Sequence, residues 1–130
     1  MFKEFNFCKK LNSFFCATIG AMMDESWEVH DRYGNRIYMT AERWAHALEK
    51  RPWLDDFFDD ALDTVRNGRR QQDPLNPEKY KYYRRCPDLE PDYNNIVVIV
   101  LFKKSWDEVG RIVANNYVVN VWAVYLYGKR

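Results

Sequence analysis

The chain is short of most residues that ready-made chemistry needs. It has two histidines, three cysteines and five glycines in 130 residues. No glycine-rich phosphate loop and no GxSxG-type nucleophile turn can be read from it, which disfavours ATP use and serine hydrolysis. Cys8, Cys16 and Cys86 are odd in number and match no metal spacing, and the histidines are scattered. Neither a metal site nor any other cofactor is therefore expected. Free, mostly buried thiols suit a reducing cytoplasm. No apolar run approaches a transmembrane span, so no membrane association is expected.

Long apolar runs are also scarce, which makes the exception informative. Ile96 to Phe102 reads IVVIVLF, uncharged and rich in β-branched residues. A run of this length is a buried strand rather than a helix. Its alternating side chains are apolar on both faces, so both faces should be covered. The aromatic fraction is high at 17%, and 130 residues suffice for one well-packed domain.

Net charge is only +1, but it is unevenly spread. Residues 54–63 carry five aspartates and no cation. Residues 69–85 carry six Lys/Arg against Asp73 and Glu78, a local excess of four. Such asymmetry points to a basic patch that the global charge hides.

Residues 1–26 are expected to form an amphipathic helical extension, with Phe7, Cys8, Leu11, Phe14, Phe15, Thr18, Ile19 and Met22 on one stripe. Glu4 and Asn12-Ser13 argue against a signal peptide there. Residues 27–130 are expected to form one α+β domain. A hairpin turns at Gly34-Asn35, and a helix over 41–50 is capped by Thr40. A second helix carries Leu54, Phe57, Phe58, Ala61, Leu62 and Val65 on one face and ends at Asn67-Gly68. Strands are expected at 69–72, 79–85, 96–102 and 116–127, with a connection over 105–111. Helices followed by strands on short loops predict helices packed on an antiparallel sheet of about four strands.

Three groups of residues could carry chemistry. KYKYYRR (Lys79–Arg85) puts Lys79, Lys81, Tyr83 and Arg85 on one face of a strand. Cations interleaved with rings suit single-stranded nucleic acid, phosphate to the cations and bases on the rings. The same pattern also serves an edge strand kept soluble by its charges. Arg69 and Arg70 would enlarge the patch if the loop folds back. His46 follows Glu42 and Arg43 on one side of its helix and is a candidate acid or base, although helical histidines are commonly structural. His30 has no such company and reads as structural. Asn115, Asn116 and Asn120 could orient a phosphate, or form turns and caps.

The segments DRYGNRIYMTAERWAHALEKRPWL, GRRQQDPLNPEKYKYYRR, NNIVVIVLF and ANNYVV follow one another across residues 31–119. In this order and spacing they resemble a family of small bacterial proteins from the phage and mobile-element branch of the barnase–EndoU–colicin–RelE (BECR) nuclease superfamily. The resemblance implies N-terminal helices on a four-stranded antiparallel sheet. It also implies metal-independent RNA cleavage, as in toxins or antiphage defence. In such cleavage a base takes the 2′-hydroxyl proton, cations steady the phosphorane and an acid protonates the leaving oxygen. It assigns catalysis to His46, Lys81 and Arg70. It matches Lys79, Asn115, Asn116 and Tyr117 as RNA contacts, to which the residue pattern adds Arg43, Arg69, Tyr83 and Arg85. Asn95 stands where family members usually carry a histidine, and the last strand continues as NVWAVYLYGKR where theirs turns polar. Both departures suit a catalytically degenerate member that binds RNA or a protein partner. The N-terminal helix would then dock on another subunit or a second copy.

Overall fold

The computed structural model describes residues 25–127. The expected helical extension lies outside the described residues, apart from its last two positions, and so do the partner contacts assigned to it. Two strands come first: β1 (Ser26–His30) and β2 (Arg36–Thr40). Gly34 lies between them at φ 88°, a left-handed turn position that glycine adopts without steric cost. Helix α1 (Ala41–Lys50) starts directly from β2, where the Thr40 side chain accepts from the Arg43 amide. A 3-10 segment (Pro52–Phe57) leads into α2 (Phe58–Asn67). The apolar periodicity over 54–65 is real, but it is shared between two helical geometries that change at Phe57.

Strands β3 (Arg69–Gln72), β4 (Lys79–Arg85), β5 (Asn95–Trp106) and β6 (Ile112–Val124) complete one six-stranded sheet. Its order is β1-β2-β6-β5-β4-β3. This corrects the expected fold, N-terminal helices on an antiparallel sheet of about four strands. The sheet is mixed, because β2 runs parallel to β6, and the helices follow the first two strands. The first hairpin is therefore an integral edge of the sheet. Its Ile37 and Met39 are apolar enough to be buried in the common core. Residues 105–111, expected as a plain connection, lie within a β5–β6 hairpin in which Trp106 pairs with Ile112.

Both helices pack on one face, here called the near face. Ile96, Val98 and Val100 of β5 join Tyr82, Val118, Val121 and the helical residues Trp44, Ala47, Phe58, Ala61 and Val65 in one core. The opposite, far face carries Val97 and Ile99, also buried at 2% and 7% exposure. Across the ladders they sit between Tyr83 and Lys81 on β4 and Trp122 and Asn120 on β6. The doubly apolar central strand is thus buried on both faces. Among the described residues no helix is long and apolar enough to cross a membrane.

Candidate nucleic-acid interface

Pairing fixes which side chains share the far face. Arg85, Tyr83, Lys81 and Lys79 of β4 lie opposite Asn95, Val97, Ile99 and Leu101 of β5. On the other flank, Arg69 and Gln71 of β3 lie opposite Tyr83 and Lys81. Side chains directly opposite in a ladder project from the same face, so four of the expected RNA contacts, Arg69, Lys79, Tyr83 and Arg85, form one basic, tyrosine-bearing track with Lys81. Lys79 is partly engaged by Asp73 at 3.6 Å, and Arg85 by Glu90 at 3.5 Å. Arg69 and Lys81 are exposed and form no ion pair among the described residues.

At the Arg85 end the track opens into a cleft of about 680 Å³. Four arginines, Arg32, Arg69, Arg84 and Arg85, line it. So do three tyrosines, Tyr83, Tyr125 and Tyr127, the last 88% exposed. The tail that supplies two of these rings is held by buried Asn94. Its Oδ1 accepts from the Leu126 amide at 2.8 Å and its Nδ2 donates to the Leu126 carbonyl at 2.9 Å. Arg32 donates from Nη2 to the Asn67 carbonyl at 3.0 Å, and Arg84 pairs with Asp63 at 3.2 Å. Gly68 closes the floor. A Cβ there would lie 2.3 Å from the Thr64 carbonyl oxygen and 2.7 Å from that of Tyr83. Its φ of −79° is ordinary, so the glycine serves close approach of α2 to β4 rather than a left-handed cap.

The remaining expected residues are dispersed. His46 sits on the exposed side of α1, with its Nδ1 3.8 Å from Glu49. Lys81 is on the far face, so the sheet itself separates the two. Arg70 is on the near face, beside Tyr82. The geometry does not gather His46, Lys81 and Arg70 into one place. Arg43 is exposed in the first turn of α1, on a helix that packs on the near face, whereas the track lies on the far face. Asn115 accepts from the Tyr38 hydroxyl at 2.8 Å, and Tyr117 packs 6.1 Å from the Tyr38 ring, both on the far face. Asn116 is buried and donates to the Arg36 carbonyl at 3.0 Å, tying β6 to β2.

Arg70 belongs to a cluster that sequence reasoning missed. Buried Asp31 accepts from the Tyr33 and Asn35 amides at 3.0 and 2.7 Å, from the Asn35 side chain at 3.0 Å, and from the Tyr82 hydroxyl. Arg70 lies 3.9 Å from the same carboxylate. Burial pushes Asp31 up, but the hydrogen bonds from Tyr82, Asn35 and Tyr33 outweigh it and hold the carboxyl below its usual range. Burial, with Asp31 as second cause, drives the Tyr82 phenol up. Cys86 is a buried free thiol pushed up to about 11, chiefly by burial and then by Asp60, which leaves it little thiolate. The signal for Asp31 was a lone aspartate just before a tyrosine–glycine turn, which reads as turn chemistry alone. Arg32, Arg84, Tyr125 and Tyr127 were missed because only tertiary packing brings them to the end of β4. Among the described residues no cluster of three or more His, Cys, Asp or Glu could hold a metal ion. Comparison with protein-family models, curated proteins and solved structures returns no match.

Proposed function

We propose that this chain binds single-stranded RNA, as the interaction member of a toxin or defence system, rather than cleaving it through His46. The observation that carries this reading is the cleft in which four arginines meet three tyrosines. Guanidinium groups take phosphates, and exposed rings accept unstacked bases at about 1–3 kcal/mol each. The β4 track with Lys81 and Lys79 extends the path along the far face. RNA as the ligand and a bacterial toxin or defence setting come from the BECR resemblance, and a cytoplasmic setting comes from the free thiols. The cleavage reading is weakened by the separation of His46 from Lys81, and no specific contact favours it.

The test is fluorescence anisotropy with a labelled single-stranded RNA and a duplex of the same length. Tighter binding of the single strand, weakened about tenfold or more by Tyr127→Ala, is expected. Equal affinity for the duplex, or no binding of either, would sink the proposal.

A further inference from the structure

A second cavity, of about 590 Å³, lies at the other end of β4, where the helices no longer cover the near face. Its wall includes Arg70, Tyr80, Phe102, Lys103 and Lys104, together with the Glu78 carboxylate that Lys103 neutralises. Its volume is within the range of small-molecule sites. Arg70 is unusually constrained for a group at a cavity wall. Its guanidinium carbon sits 4.3 Å from the Tyr33 ring centroid and 4.4 Å from that of Tyr80. Asp31 anchors it from below, and its side chain keeps 23% exposure. The fork is therefore held in one orientation before any ligand arrives, which reduces the ordering cost of binding.

The walls supply two further features. Tyr80 and Phe102 pack edge to face at 4.9 Å and are only partly buried. Arg70 lies 4.4 and 5.7 Å from their centroids, so a planar group meets the ring surface that Arg70 does not cover, chiefly that of Phe102. Lys103 is held by Glu78 at 2.8 Å, whereas exposed Lys104 forms no ion pair among the described residues. Two cations with spare donors, Arg70 and Lys104, thus flank an aromatic wall. A phosphate needs the first feature and a nucleobase the second.

We propose that this cavity is a nucleotide site, taking a nucleoside monophosphate with its phosphate at Arg70 and Lys104 and its base against Phe102 and Tyr80. The ligand can be a free nucleotide or the 5′-phosphorylated end of an RNA strand, and the chemistry recognised is the same. The site stands on its own geometry and does not depend on the arginine–tyrosine cleft.

The experiment is NMR titration of the full chain with adenosine 5′-monophosphate, reading the Tyr80 and Phe102 ring signals. Saturable shifts of both rings are expected, with adenosine at least about tenfold weaker and Lys104→Glu weakening the nucleotide by about tenfold. Lys104 is exposed, so that variant keeps the fold, and Tyr127→Ala in the cleft should leave these shifts unchanged. If a 5′-phosphorylated oligonucleotide displaces the nucleotide and its 5′-hydroxyl counterpart does not, the RNA end is the source. If neither displaces it, the free nucleotide is. No ring shifts at millimolar nucleotide, shifts confined to the cleft, or equal affinity for adenosine would overturn the proposal. Failure here leaves RNA binding in the cleft intact, and failure there leaves the ring shifts intact.

Discussion

At the scale of single residues, Asp31 is the most consequential position that the sequence alone does not expose. It is a carboxylate with almost no solvent, stabilised by four hydrogen-bond donors and by Arg70. Because its folded pKa is lowered, the stabilisation is complete above the unfolded value of about 3.9 and is lost as pH falls through the folded pKa. Tyr82→Phe removes one donor and leaves the charge buried. That should cost about 1.5–3 kcal/mol at neutral pH. It also raises the folded pKa of Asp31, so the acid unfolding midpoint should move to higher pH. Circular dichroism across an acid titration reads both effects, and an unchanged midpoint would show that the phenol does not support the carboxylate. By contrast, the alternation within KYKYYRR was legible, because a strand's two-residue period follows from backbone geometry alone. It placed Lys79, Lys81, Tyr83 and Arg85 together, as the ladder with β5 does.

At the scale of elements, the sequence located both helices and the central strand, and the limits of α1 with them, while the start of α2, the far end of β5 and the neighbours of each escaped it. The IVVIVLF run marks only the buried part of β5. The strand continues through Lys103 to Trp106, because β6 goes on pairing with it after β4 stops at Leu101. Charged and polar residues there carry no strand signal of their own. The parallel contact between β2 and β6 joins elements some eighty residues apart, and no local pattern encodes it. Gly68 shows a related limit. A glycine after a helix reads as a left-handed cap, yet its function is to let the α2 terminus meet β4 beneath the cleft. Gly68→Ala should therefore destabilise the fold by about 1–3 kcal/mol through overpacking, and should weaken RNA binding by moving Arg69. Urea unfolding with the anisotropy assay checks this. Wild-type stability in the alanine variant would mean that the backbones separate freely.

At the scale of the whole molecule, the sheet is a partition. Helices α1 and α2 cover its near face, the basic track runs along the far face, and the arginine–tyrosine cleft gathers residues from the β1–β2 turn, β3, β4 and the tail after β6. A histidine on the outer side of α1 has no route to that track. His46→Ala should accordingly leave RNA affinity within about twofold of wild type, since no cleft contact is lost. A labelled RNA held with the protein in chelator should stay intact in both. Cleavage that disappears in His46→Ala would restore the catalytic reading. The proposed RNA recognition rests on the cleft, and its electrostatic part is measurable directly. Counterion release makes the logarithm of affinity fall with the logarithm of salt concentration by about 0.7 per phosphate neutralised on a single strand. The most direct measurement is this slope for the wild type beside Arg69→Ala/Arg85→Ala. The account predicts a steep slope that becomes shallower by about 1.4 in the double variant. An identical slope in both proteins would contradict it.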